Sequence, residues 1–305
     1  MILIIGGAGC GKSRFAEALC QKMPAPRYYL AAMQPYGSEG EARIQKHRAM
    51  REGKGFETVE RYTDYSSLKL PHRGTALLEC VANLTANEMY SSDGSMSDPF
   101  ERVINGIGAL AAQCAELVVV TNDVGSDGIQ YDPSTQAYIR SLGRINAALA
   151  ARADTMIEMV AGIPTVQKGA IPEQVLQNSF IEGKGRTQMI LVIGGAGAGK
   201  RSYARSLGYA ESDFSSDPYD NRPVLTGLET LVREHPDQAG AAFDALLQKE
   251  LVLCDEVGSG VIPLTGEDRA YREAVGALCV RLAKEAAAVV RIVAGIPSVI
   301  KGSAG

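Results

Sequence analysis

The sequence predicts an α/β fold: a mostly parallel sheet with helices on both faces, present twice in tandem, with the second unit cut short. Three observations carry this. Short apolar runs that read as buried strands alternate with longer stretches that read as helices, the pattern of a parallel sheet covered on both sides. A glycine-rich segment joins the first such strand to the first helix. The chain also repeats itself, since residues 2–12 read ILIIGGAGCGK and residues 190–200 read ILVIGGAGAGK.

In order, the first unit opens on a strand at 1–5, followed by a loop and a helix at about 12–22. A strand at 27–32 leads to a helix at about 40–51. A strand at 75–80 precedes helical stretches at about 82–90 and 98–114. A strand at 117–121, a helix at about 134–152 and a strand at 155–160 complete the unit. VVVTNDVGS at 118–126 returns as LVLCDEVGS at 251–259, and VAGIPTVQKG at 160–169 returns as VAGIPSVIKG at 293–302. The glycine-rich loops are offset by 188 residues and the later motifs by 133, so the second unit lacks 55 residues between them. The expected division is 1–169, a linker at 170–188 with Pro172, Gly183 and Gly185 as breakers, and 189–305.

The 305 residues are 46% hydrophobic and 22% charged, the balance of a globular protein with a full core. A net charge of −4 provides no basic field, which argues against nucleic acid or a membrane surface as partner. The six cysteines form no C-x-x-C pair and several lie in apolar runs, so they read as reduced core residues. The run Met1 to Ile5 is too short for a membrane span or a signal core, and the expected location is the cytoplasm.

Gly6-Gly7-Ala8-Gly9-Cys10-Gly11-Lys12-Ser13 fits G-x-x-x-x-G-K-[ST] between a strand and a helix. Glycines let the backbone curl so that successive N–H groups face phosphate oxygens, and the helix N-terminus adds its dipole. Lys12 then reaches the β and γ oxygens, and the Ser13 hydroxyl is a ligand for Mg²⁺. Glu79 closes the apolar strand Thr75-Ala76-Leu77-Leu78 and is the expected acidic partner of that metal, since a carboxylate there is costly unless paired or metal-bound. In the helix at 40–51, Arg43, His47 and Arg51 fall at i, i+4, i+8, within an arc of about 80°. Such a face suits a triphosphate, since guanidiniums bind phosphate oxygens in forked fashion and their charge keeps the His47 imidazole neutral and nucleophilic; taken alone, the same spacing is more often a solvated basic face.

Taken together, these motifs resemble the bifunctional adenosylcobinamide kinase/adenosylcobinamide-phosphate guanylyltransferase family. The resemblance rests on IIGGAGCGKSRFAEAL at 4–19, ARIQKHRAMR at 42–51, ETVE at 57–60, LLEC at 77–80, VVVTNDVGSDGI at 118–129, GRINAALAARAD at 143–154 and AGIPTVQK at 161–168. It implies a P-loop NTPase fold of RecA type and two activities. A nucleoside triphosphate, ATP or GTP, phosphorylates adenosylcobinamide; GTP then guanylylates a histidine, and GMP passes to adenosylcobinamide phosphate. The matching histidine is His47, and Arg48, Ala49, Met50 and Arg51 match the adjoining GTP-contacting segment. Glu60 and Glu79 match acidic positions at the nucleotide site, and Ala31, Ala32 and Met33 the strand end and loop beside it. The resemblance also implies a homo-oligomer with sites near subunit boundaries. Departures from the family pattern fall at Tyr138 to Ser141 and at Ala147 after Asn146.

The second unit reads as degenerate. Arg201 replaces Ser13, Val224-Leu225-Thr226-Gly227 stands at the acidic strand end, and the histidine element is gone. Two roles stay open for it: to pack against the first unit in place of a neighbouring subunit and lend residues to its site, or to be a decaying fusion that only adds stability. Two rivals stay open on the sequence: a kinase acting on a related alcohol, and a non-enzymatic module that binds GTP or a corrinoid.

Overall fold

The computed structural model describes residues 1–35, 45, 48–49, 52–94, 97–127, 129–171, 187–261, 263 and 265–303. The first unit contains β1 (Ile2–Ile5), α1 (Lys12–Cys20), β2 (Arg27–Ala31), β3 (Phe56–Glu60), β4 (Thr75–Glu79), α2 (Val81–Tyr90), α3 (Phe100–Gln113), β5 (Glu116–Val120), α4 (Pro133–Arg152), β6 (Thr155–Val160) and β7 (Ile163–Lys168). The strands form one seven-stranded sheet in the order β3-β2-β4-β5-β1-β6-β7. Every neighbouring pair is parallel except β6 and β7. Leu3, Ile4, Leu77, Leu78, Val118 and Val119 are fully buried at its centre, as continuous apolar strands require when helices cover both faces. Asp132 caps α4 by accepting from the N–H groups of Ser134 and Thr135, with Pro133 at the first helical position.

Two strands differ from the sequence reading. β3 is an edge strand with exposed Glu57 and Thr58, so FETVE lacks the apolar run that marks a buried strand. β7 turns back on β6 through Ala161 and Gly162, both with positive φ, and its outer half, Val166 to Lys168, is exposed. α1 ends at Cys20, ahead of Pro24 and Pro26.

The second unit contains β8 (Ile190–Gly194), α5 (Lys200–Ser206), β9 (Phe214–Ser215), β10 (Val224–Leu225), α6 (Leu228–Glu234), α7 (Pro236–Ala241), α8 (Phe243–Leu246), β11 (Leu251–Asp255), α9 (Gly266–Glu285), β12 (Ala288–Val293) and β13 (Ile296–Lys301). Its six-stranded sheet, β13-β12-β8-β11-β10-β9, repeats the first order read from the other end, without a counterpart of β3 among the described residues. The chain thus carries the same α/β design twice, the second time shortened.

The two units meet at the first unit's glycine-rich loop. The Ala8 N–H donates to the Gly258 carbonyl at 2.8 Å, and the Ser126 N–H to the Ser259 carbonyl at 3.1 Å. Val160, Ala161 and Ile163 join one apolar cluster with Val275, Leu278 and Cys279 of α9. Arg291 on β12 pairs with Glu158 on β6 at 2.5 Å. A cavity of about 30 Å³ lies between the units, lined by Ala8, Cys10, Ala161, Glu256, Arg272 and Cys279 among others.

Candidate active site

Parallel pairing places the carboxyl ends of the strands side by side. In register, Ala31 lies opposite both Glu60 and Glu79, and Glu79 opposite Val120, whose other neighbour is Ile4. The loop Gly6 to Ser13 leaves β1 at this edge, where open α/β sheets bind ligands. Residues far apart in sequence therefore converge on one rim: the loop, Ala31 to Met33, Glu60 and Glu79.

Gly9 and Gly11 have φ of +73° and +94°, which glycine adopts without strain, and they curl the chain into the start of α1. Lys12 is buried, and its Nζ donates to the Gly7 carbonyl at 2.6 Å, so its charge lies inside the loop. Burial raises the Cys10 thiol pKa, although Lys12 beside it pulls the other way. The Ser13 hydroxyl donates to the Glu79 carboxylate. The two groups expected to share a metal are thus in direct contact. Burial also pushes the Cys80 thiol, next to Glu79, up to about 11.

Serine and glutamate oxygens are hard donors, and Mg²⁺ typically takes one or two carboxylates and completes its shell with water and substrate phosphates. The pair fits that ion. Among the described residues no cluster of three or more His, Cys, Asp and Glu could hold a metal by itself.

At the far end of the rim Arg48 pairs with Glu60, which also accepts from the Tyr62 hydroxyl at 3.0 Å. Ala49, like Arg48, is helical. The Ala32 N–H donates to the Glu79 carbonyl at 3.0 Å, and the Asn87 amide donates to the Ala32 carbonyl at 2.8 Å, fixing the chain where Met33 follows. Arg43, His47, Met50 and Arg51 lie outside the described residues.

Sequence reasoning did not single out Asp123 or its distance from the loop. The Asp123 N–H donates to the Gly6 carbonyl at 3.2 Å, and its counterpart Glu256 repeats this with Gly194 at 3.0 Å. Glu256 also reaches across to the first unit: a Cβ on Gly7 would stand 2.9 Å from its Oε1. Burial raises the pKa of both carboxyls; Glu158 raises both further, while Arg291 opposes. The folded protein thus holds these protons more tightly than the unfolded chain. Stability from these sites is full below the ordinary carboxylate value of about 4 and falls as pH rises through the raised folded values. Glu256→Gln removes one such group. Its melting temperature relative to wild type is expected to climb with pH from the acid side toward neutrality, as calorimetry at a series of pH values would read. A constant difference would contradict this assignment.

The second loop is held differently. Lys200 donates to the carbonyls of Gly194 and Gly195 at 2.9 and 2.7 Å and pairs with Asp255, which stands where the first unit has Asn122. Arg201 turns toward Glu211 at 3.3 Å and lies over the Phe214 ring at 5.1 Å. The register of β10 on β11 repeats that of β4 on β5 and puts Thr226 in the row of Glu79. The serine and the glutamate of the first site are therefore both replaced.

Comparison with known proteins agrees with this architecture. A family model described as cobinamide kinase/cobinamide phosphate guanyltransferase matches residues 2–167 and 222–300. The bifunctional adenosylcobalamin biosynthesis protein CobU of Escherichia coli K12 is 36% identical over 179 residues, covering 53% of this chain and 97% of that protein. Its Salmonella typhimurium counterpart gives the same figures. The Pseudomonas aeruginosa protein CobP is 28% identical over 170 residues, covering 55% of this chain and 96% of its own. Among the described residues no helix is long and apolar enough to cross a membrane. The chain belongs to the cobinamide kinase/cobinamide phosphate guanyltransferase family of kinase and nucleotidyltransferase enzymes.

Proposed function

We propose that the first unit, residues 1–169, phosphorylates adenosylcobinamide and then transfers GMP from GTP to adenosylcobinamide phosphate through a GMP adduct on His47. The contact of Ser13 with Glu79, beside a buried Lys12 at the carboxyl edge of the sheet, is the observation that carries this reading. In the first step the loop N–H groups and Lys12 hold the triphosphate while the corrinoid hydroxyl attacks the γ-phosphorus; the bond to the nucleoside diphosphate breaks, that diphosphate leaves, and the hydroxyl proton passes to water. Ser13 and Glu79 would hold Mg²⁺, which when bound screens the charge of the phosphates. In the second step an imidazole nitrogen of His47 attacks the α-phosphorus of GTP. The P–N bond forms as the bond to pyrophosphate breaks. A phosphate oxygen of the corrinoid then displaces the imidazole, making the new P–O–P link. Arg43, Arg48 and Arg51 supply guanidiniums along the same segment for the charge that moves through these steps.

On this reading the second unit, residues 189–305, is a built-in neighbour of the first and not a second catalyst. The Gly258 carbonyl on Ala8 and the replacement of both Ser13 and Glu79 support that role. Incubation with GTP labelled at the α-phosphorus tests the proposal. Wild type is expected to take up an acid-labile label that maps to His47 and is chased by adenosylcobinamide phosphate, and His47→Ala to take up none. Phosphorylated corrinoid from an enzyme that never takes up label would leave the kinase step alone.

A further inference from the structure

We infer that Cys254 and Cys279 form a reversible disulfide under a hydroperoxide oxidant, and that this bond clamps the part of the second unit that seats on the first unit's phosphate loop. The two sulfurs are 3.5 Å apart, Cys254 on β11 and Cys279 on α9, and both are free and buried. The remaining four cysteines carry no such contact among the described hydrogen bonds.

The first unit explains why these positions face each other. Their counterparts, at the offset of 133, are Thr121 and Asn146, and the Thr121 hydroxyl donates to the Asn146 side-chain oxygen at 2.7 Å. That bond fastens the strand before the loop at 121–127 to helix α4. The second unit keeps the two seats but fills them with thiols, whose hydrogen bond is weak. A noncovalent clasp has been exchanged for a pair that can close covalently. Bond formation needs the sulfurs to move from 3.5 Å to about 2.05 Å, a shift of about 1.5 Å.

Access and chemistry limit the oxidant. Cys279 lines the cavity of about 30 Å³ between the units, which has room for roughly one water-sized molecule. Hydrogen peroxide, the smallest hydroperoxide, suits this opening. The Cys279 sulfur attacks a peroxide oxygen, the O–O bond breaks and one water leaves, giving a sulfenic acid. The Cys254 sulfur then attacks that sulfur, the S–S bond forms and a second water leaves. Two thiols lose two electrons and two protons, and one peroxide becomes two waters. Sharing its proton with the neighbouring Cys279 sulfur, together with burial, raises the Cys254 thiol pKa, so Cys254 suits the resolving role better than first attack.

The consequence follows from what the two elements carry. β11 runs directly into Glu256 and Gly258, and α9 carries Arg272 and Gly276; all four close on Gly7, Ala8 and Gly9. The closed bond would tie both groups into one piece. This use of the bond rests on the second unit acting as neighbour to the first, whereas the bond itself does not.

The native protein is treated with hydrogen peroxide, quenched, alkylated and digested without reductant. One cross-linked peptide pair joining Cys254 to Cys279 is expected, reversed by dithiothreitol, with Cys20, Cys80 and Cys114 still alkylated. The oxidised protein should favour the folded second unit by roughly a hundredfold in denaturant titration. Cys254→Thr combined with Cys279→Asn restores the first unit's clasp and should fold, yet show neither the link nor the gain. Two thiols that remain alkylatable in oxidised native protein, or a Cys279 sulfinic acid without a link, would overturn the inference. A link that forms without altering GTP KM would retain the disulfide and remove its coupling to the phosphate loop.

Discussion

Lys12→Ala is expected to lower both corrinoid phosphorylation and GMP labelling by about a hundred- to a thousandfold, whereas Lys200→Ala leaves both within about twofold of wild type. The two lysines occupy the same place in the same motif and both are buried. What differs is what each ammonium faces. Among the described residues Lys12 forms no ion pair and donates to neutral acceptors of its own loop, the Gly7 carbonyl and, at 3.8 Å, the Cys10 sulfur, while the Asp123 carboxylate acts on it through space. Its full charge is available to a triphosphate that displaces them. Lys200 is paired with the carboxylate of Asp255, so an arriving phosphate would have to break an ion pair and meet a second negative charge. It would also find Arg201 and Thr226 where the first unit has Ser13 and Glu79, the pair proposed to hold a metal. Steady-state kinetics on the two variants check this. Equal losses would show that the second loop takes part in turnover, and no loss in Lys12→Ala would remove the first loop from the reaction.

Much of this site could be read from the sequence because its signals are local. The loop motif, the strand before it and the helix after it lie within one short segment, and Glu79 ends an apolar run that could only be a buried strand. The reading of the second loop as damaged was local too, since Arg201 stands beside Lys200. What stayed hidden depends on pairing between distant segments. β3 is an edge strand whose exposed, charged residues follow no apolar period. The register that aligns Thr226 with Glu79 belongs to strands only two residues long. The placement of Glu256 against Gly7, and of Asp255 on Lys200, follows from the meeting of two sheets and from a side-chain rotamer. The repeat alignment puts Asp255 where Asn122 stands, next to the loop, but alignment alone does not say which lysine it reaches.

Gly276→Ala provides the second large effect, and its sign is set by a competition that Gly143→Ala isolates. Both glycines lie in the interior of the long helix of their unit, at equivalent positions. Alanine in place of a helical glycine gains about 1 kcal/mol from propensity. A Cβ on Gly143 meets nothing within 4 Å, so that gain should appear nearly whole as stability. A Cβ on Gly276 would stand 2.8 Å from the Cα, carbonyl carbon and oxygen of Gly9. These are backbone atoms of the phosphate loop, closer than packing allows, so helix and loop must separate. Overpacking of this kind costs about 1–3 kcal/mol, enough to cancel or exceed the propensity gain. The displaced partner is the turn proposed to hold the triphosphate, and errors of about 1 Å in reacting geometry can cost about a hundredfold in rate. Gly276→Ala is therefore expected to lose stability and at least about tenfold in turnover, while Gly143→Ala gains stability and keeps its rate. Denaturant midpoints and GTP kinetics on the two variants decide it. If both glycines respond alike in both measurements, the second unit does not press on the loop, and the active site belongs to the first unit alone.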